Sequence, residues 1–358
     1  MLQCKALTVG YEKQPVLQQV DVSFQRGSVY AILGPNGCGK TTLLRTLAGL
    51  LPPVAGTVQL KGRPLTAYSS RELAKQLAVV LTSQPIGDNA TGYEIVSLGR
   101  YPHTGFFGRL SRRDHDLIEQ YLALCHGAHL ADKTLQQMSD GERQKIFLAR
   151  GLAQETEILL LDEPTSHLDI HHKLELLQIL RQICREKNRL VITTLHEPEL
   201  ALKSCDYFLL AGQGRLQQQG PIDSIVQQDC LSSLYRLQPR QLDGCSGLVE
   251  FHQALPVQVV FIGSDGHTAV LLRRLQQLGV GFCCMALADD SVAAAVAQAM
   301  GAAVYAAIEP QPLSQAKVVV DYSPSAWQRN QFAGCWLSGV GLTAADLTAV
   351  CQKMCQTT

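Results

Sequence analysis

Nine consecutive residues, Gly34-Pro35-Asn36-Gly37-Cys38-Gly39-Lys40-Thr41-Thr42, fit the spacing G-x-x-x-x-G-K-[ST] at every fixed position. Glycines at this spacing let the backbone wrap so that its N–H groups converge on phosphate oxygens. A helix that begins inside the loop adds its positive end. Lys40 supplies a mobile cation for the β- and γ-phosphates, and Thr41 a hydroxyl for Mg2+. A second group lies far downstream, where the apolar run 158–161 ends in Asp162 and Glu163. The carboxyl end of a buried parallel strand is where such sheets place their ligand crevice, so Asp162 suits the Mg2+ shell and Glu163 the attacking water. Transfer of a phosphoryl group to water needs charge neutralisation and an in-line nucleophile, and these residues provide both. The bland readings, a glycine-rich turn with an incidental lysine and a solvated acidic turn, lose force when the two groups occur in one chain.

Such a site has to be held by strands and helices in alternation. Residues 29–33, 77–81, 158–161 and 190–194 are short, β-rich and apolar, as buried parallel strands are. Helical patterns at 40–47, 112–124 and 174–186 lie between them, which predicts an α/β domain. Residues 89–153 read as a helical insertion between two core strands. A polar, turn-rich stretch with Pro239, Gly244 and Gly247 marks a boundary, giving a first domain at 1–237, a linker at 238–256 and a second domain at 257–358. The second domain alternates strand 257–262, a helix through Leu278, strand 280–287, an alanine-rich helix ending at Gly301, and strands at 302–308 and 317–321. This predicts a small Rossmann-like unit. Gly263-Ser264-Asp265-Gly266 matches the dinucleotide fingerprint poorly, and Asp289 falls only at the end of the next strand. A dimerisation or packing module is therefore expected there ahead of a regulatory small-ligand site or a bound nucleotide.

The bulk numbers exclude several classes. The chain of 358 residues is 46% hydrophobic and 17% charged, enough apolar material for packed cores. Its 31 basic and 31 acidic residues cancel, so direct nucleic-acid binding is not expected. The N-terminus lacks the basic-then-apolar pattern of a secretion signal, so the twelve cysteines read as reduced cytosolic thiols. Neither Cys283-Cys284 nor the Cys351/Cys355 pair has the paired C-x-x-C spacing of zinc sites. No apolar stretch reaches the ~18–20 residues that cross a bilayer, so work at a membrane would need another chain to span it.

Met138-Ser139-Asp140-Gly141-Glu142-Arg143-Gln144, ahead of a predicted helix at 145–153, resembles the signature sequence of the ABC ATPases. The family's other elements follow in register over about the first 235 residues. The resemblance implies a P-loop NTPase cassette in which Tyr11 stacks on adenine and residues 34–42 hold the phosphates of ATP. Ser139 and Gly141 would close on the γ-phosphate held by a second copy. Glu163, His196 and Gln84 would be catalytic, Thr41, Gln84 and Asp162 would bind Mg2+, and Ser166-His167-Leu168-Asp169 would contact the dimer partner. Asp140 and Glu142 replace the glycine and glutamine commonest at those positions, and their carboxylates are expected to point away from the phosphate. Together with Ser97-Leu98-Gly99-Arg100-Tyr101-Pro102-His103, the signature looks like that of importers for ferric siderophores, haem and cobalamin. The implied partners are a second copy of the chain, a polytopic permease and, indirectly, a substrate-binding protein. The implied location is the cytoplasmic face of the membrane. A soluble ABC ATPase acting on ribosomes or DNA is the rival reading. It is disfavoured by the single cassette and by the lack of sustained heptads or a basic tract.

Overall fold

Runs of four or five apolar residues can bury both faces of a strand only if helices cover them on either side. In the chain, Val29–Leu33, Ile158–Leu161 and Leu190–Thr194 are buried at every position. A computed structural model of the chain describes all residues except 13, 82–88, 106, 167, 228–229, 239–240, 242–248, 252–254, 288–290, 308–311, 313–315, 323–334, 340–341 and 357–358. It divides into two units, Met1–Tyr235 and Arg236–Thr358.

The first unit runs β1 (Leu2–Tyr11), β2 (Gln14–Phe24), β3 (Val29–Leu33), α1 (Lys40–Leu47), β4 (Ala55–Leu60), β5 (Arg63–Pro64), α2 (Ser70–Ala74), β6 (Leu77–Val80), α3 (Gly92–Leu98), α4 (Arg112–Leu124), α5 (Asp140–Ala153), β7 (Ile158–Leu161), α6 (Ile170–Glu186), β8 (Leu190–Thr194), α7 (Pro198–Ser204), β9 (Tyr207–Gly212), β10 (Arg215–Pro221), α8 (Ile222–Gln227) and α9 (Cys230–Leu234). Among the described residues its ten strands form one sheet in the order β5-β4-β1-β2-β10-β9-β3-β8-β7-β6. From β9 to β6 the neighbours are parallel, whereas β1, β2, β4 and β5 pair antiparallel. Leucine-rich side chains from β1, β3, β8 and the buried face of α1 make the main core. The sheet order puts the carboxyl ends of β3, β8 and β7 side by side, which is where the phosphate loop and the acidic pair arise.

The helical insertion is fastened to this core by polar groups. Tyr121 of α4 is fully buried, and its hydroxyl accepts from Lys187 Nζ (2.7 Å) and Arg189 Nη2 (2.9 Å) at the approach to β8. Arg100 is buried; its Nε donates to Asp114 Oδ1 (2.8 Å) and its Nη1 to the Ala153 carbonyl (2.6 Å), joining the ends of α3, α4 and α5. One residue of the 97–103 motif is thus a structural clamp.

Two of the predicted helices start earlier than expected. The helix predicted at 145–153 begins a full turn earlier, at Asp140, because Ser139 caps it with a reciprocal bond to Glu142. The helix predicted at 174–186 likewise begins at Ile170, capped by Asp169.

The second unit holds β11 (Val257–Ile262), α10 (Thr268–Gln277), β12 (Gly281–Met285), α11 (Val292–Ala299), β13 (Val304–Tyr305), β14 (Val318–Asp321), β15 (Cys335–Ser338) and α12 (Ala344–Gln356). Its sheet is parallel throughout, in the order β13-β12-β11-β14-β15, which is the doubly wound arrangement 3-2-1-4-5. Among its described residues, the strand predicted at 302–308 pairs only at Val304–Tyr305. Asp289 lies outside the described residues.

Burial alone would raise the Asp114 pKa, but hydrogen bonds from Ser111 and Arg100 outweigh it and hold the carboxyl at about 2. A depressed acid stabilises the fold above its unfolded pKa and loses that contribution as pH falls through its folded one. Arg100→Ala breaks a buried pair and should destabilise the first unit by about 3–5 kcal/mol, the cost of orphaning a buried charge. The difference from the parent should be full at neutral pH and shrink in acid, where protonation of Asp114 relieves the unpaired charge in the variant and removes the pairing in the parent. Urea melts across pH check both points.

Candidate active site

β3 emerges from the core at Gly34, and the chain turns through 34–39 into α1. Gly39, the residue before the helix, has φ +102°, and a Cβ there would sit 2.7 Å from Val16 Cγ1. The position therefore demands glycine for both backbone conformation and space. Lys40 is buried and folds back over the loop, donating from Nζ to the carbonyls of Gly34 (2.8 Å) and Pro35 (3.2 Å). Burial pushes the Cys38 thiol pKa upward, so this loop cysteine stays a neutral neighbour of Lys40.

The neighbouring strand ends lock onto this loop. Asp162, buried at the end of β7, accepts at Oδ1 from Thr41 Oγ1 (2.9 Å) and from Thr194 Oγ1 of β8 (2.9 Å). Thr194 Oγ1 also accepts from the Glu163 backbone N–H (2.7 Å). Glu163 has φ +48°, a sparsely populated conformation for a residue with a side chain, of the kind that gathers at functional sites. His196 Nε2 stands 2.5 Å from Glu163 Oε1, and Ser166 Oγ donates to Glu163 Oε2 at 3.4 Å.

An open cleft of about 490 Å3 lies in front of these groups; Tyr11, Asn36, Lys40, Thr41, Glu163 and His196 are among its walls. Tyr11, at the tip of the β1–β2 hairpin, is 45% exposed and free to offer a ring face to a flat ligand. The donor set fits Mg2+: a threonine hydroxyl and a carboxylate, both hard oxygens, converge at 2.9 Å beside the lysine. Mg2+ takes one or two such protein ligands and draws the rest from phosphate and water. No cluster of three or more histidine, cysteine or acidic side chains suited to a metal occurs among the described residues.

The signature segment is built separately. Ser139 Oγ accepts from the Glu142 backbone N–H (3.3 Å), and Glu142 Oε2 accepts in return from the Ser139 N–H (2.9 Å). Lys133 Nζ holds the other carboxylate oxygen of Glu142 at 3.1 Å. The Ser139 N–H and Lys133 lower the Glu142 pKa, so this unusual acid is a charged part of the helix cap. Ser139, Gly141, Ser166, Leu168 and Asp169 do not line the cleft. Within one copy the structure gathers Tyr11, residues of the 34–42 loop, Asp162, Glu163 and His196, and leaves the signature residues apart. Gln84 and His167 lie outside the described residues. Thr194 escaped the sequence reading; its only signal is a threonine closing a β-branched strand next to the acidic one.

Residues 17–166 match the profile of the ABC transporter family. An uncharacterised ABC transporter ATP-binding protein of Methanocaldococcus jannaschii is 38% identical over 275 residues, which covers 76% of this chain and 95% of that protein. The chain belongs to the ABC transporter ATP-binding proteins. As a member of that family it is an ATPase. The archaeal match is longer than the first unit and so extends into the second. The ferric enterobactin transport ATP-binding protein of Escherichia coli is 36% identical over 242 residues, covering 68% of this chain and 89% of its own length. A cobalamin import ATP-binding protein of Halobacterium salinarum is 34% identical over 220 residues, covering 62% and 55%. Among solved structures, an inward-facing metal-chelate type ABC transporter superposes with a TM-score of 0.58 at 28% identity, over 66% of this chain and 88% of the other.

Replacing Thr194 by valine removes one donor to Asp162 and the acceptor for the Glu163 N–H. Each lost buried hydrogen bond costs about 1–3 kcal/mol. ATP turnover by the ABC ATPase should fall about tenfold or more, with a smaller change in ATP affinity, because the 34–42 loop is untouched. A coupled-enzyme assay with equilibrium nucleotide binding separates the two effects.

Proposed function

We propose that this ABC ATPase energises import of a ferric siderophore or related iron chelate, as a homodimer beneath a polytopic permease. The observation that carries the dimer is the separation within one copy of two finished half-sites: a phosphate cleft around Lys40 and a capped helix tip at Ser139 and Gly141. Each is poised for an anion, and a second copy would bring one against the other. The iron-chelate reading is supported by the enterobactin relative and the metal-chelate transporter, both matched over nearly nine-tenths of their length. Cobalamin or haem is the alternative cargo. No helix among the described residues is long and apolar enough to cross a membrane, and the reading assigns the crossing to the permease.

In this reading Lys40 and the loop N–H groups neutralise the β- and γ-phosphates, and Tyr11 stacks on adenine. Thr41, Asp162 and Gln84 would hold Mg2+, which supplies charge neutralisation across the phosphates. Glu163 orients and deprotonates the attacking water, and His196, next to it, fixes that carboxylate and reaches the γ-phosphate. Ser139 and Gly141 of the second copy close the far side, with residues 166–169 along the seam. Closure would move the permease through Gln84 and the helical insertion.

Glu163→Gln should leave ATP affinity within about twofold of the parent and lower turnover by about 100-fold or more, the usual worth of a general base. Near-normal turnover would remove Glu163 from that role. Lys40→Ala should weaken ATP binding about 10- to 100-fold, the loss of charge-assisted bonds; unchanged affinity would contradict the phosphate assignment. With the permease in vesicles, binding protein loaded with ferric siderophore should stimulate ATPase activity and the cobalamin-loaded form should not; the reverse result would transfer the cargo to cobalamin.

A further inference from the structure

His172, on the first turn of α6, takes no part in the cleft, yet it bridges the two segments of the chain that face a second copy. Its Nδ1 lies 2.9 Å from Asp169 Oδ2, while its backbone N–H donates to Asp169 Oδ1 (2.9 Å), so one histidine holds both oxygens of the residue that ends the 166–169 segment. The His172 backbone N–H, and then its ring, lower the Asp169 pKa, which keeps the carboxylate charged. The ring also faces the signature helix across a small gap: a methyl group built on Gly141 would just fill it, 3.4 Å from His172 Nδ1 and 3.5 Å from Cγ. Gly141 has ordinary helical backbone, so what the position offers the ring is room for one methyl group and no more. The other end of the 166–169 segment reaches Glu163 through Ser166 Oγ.

We infer that His172 is a positioning residue, which sets the signature helix tip and the 166–169 segment at a fixed spacing so that both meet a second copy together. The inference rests on the dimeric reading above. In this role the ring is the spacer between α5 and α6, and its bond to Asp169 fixes its orientation. Without it, the Ser139 end of α5 and the seam residues move independently, and the γ-phosphate of the second copy is closed less often. The cost therefore falls on turnover and pairing and not on capture of ATP by the copy's own Lys40 loop. His172→Ala keeps the backbone N–H that caps α6, so the helix start survives the substitution.

The test uses the full chain with Mg-ATP. His172→Ala should lower kcat about tenfold with KM for ATP changed less than twofold. In a Glu163→Gln background it should lower the fraction of ATP-induced dimer seen by light scattering. His172→Asn, whose amide nitrogen can replace Nδ1 as donor to Asp169 but which lacks the ring that faces α5, should stay within about twofold of the alanine variant in both readouts. An alanine variant equal to the parent overturns the inference. So does an asparagine variant as active as the parent, because the Asp169 bond without the ring would then be enough. If Glu163→Gln alone binds ATP yet never pairs, the dimeric reading itself fails; pairing there with normal His172→Ala kinetics removes only the role of His172.

Discussion

The Asp162 carboxylate is the point on which the site depends. One oxygen receives hydroxyls from Thr41, on the helix after the phosphate loop, and from Thr194, on the adjacent strand. Three neighbouring strand ends, β3, β8 and β7, are thereby tied at their carboxyl termini, and the same Thr194 hydroxyl restrains the backbone of Glu163 in a left-handed conformation. A buried carboxylate is tolerable only when its lone pairs are filled or a cation stands nearby. Here two hydroxyls fill the lone pairs of Oδ1. The interlock sets Lys40, Thr41 and Glu163 around one cleft before any ligand arrives, which is the preorganisation that electrostatic catalysis of phosphoryl transfer requires.

The signature segment follows a different logic. Glu142, an acid close to a proposed phosphate contact, looks unfavourable in sequence. Its carboxylate instead completes the helix cap and pairs with Lys133. The helix start gains an anchor and part of the negative charge is neutralised by the lysine. The Ser139 hydroxyl accepts from the Glu142 N–H, which leaves its own proton for an oxygen acceptor.

Much of the cleft was legible because its chemistry fixes spacing: a phosphate loop has to follow a strand and open a helix, and residues 29–47 do so. The acidic pair was legible for the same reason. Thr194 was not, since it lies 32 residues from Asp162 in sequence and a strand-ending threonine looks like ordinary β-propensity. The antiparallel strands β1, β2, β4 and β5 gave weak signals because bulges break their alternation; Ala6 and Gln19 have positive φ, and the β1–β2 register shifts three times. The early start of α5 was hidden because Asp140, Gly141 and Glu142 break the apolar period, and it is the Ser139 cap that sets the first turn. In the second unit the order 3-2-1-4-5 follows from the parallel pairing, which periodicity alone does not reveal.

The central claim is that one triphosphate is shared between two copies. An experimentally determined structure of the Glu163→Gln chain with Mg-ATP tests it most directly. The account predicts a γ-phosphate within about 3 Å of Lys40 Nζ from one copy and of Ser139 Oγ from the other, with the arrangement repeated at a second, symmetry-related site. ATP held by Lys40 with no second copy over it, or with Ser139 of the same copy closing the cleft, would contradict it.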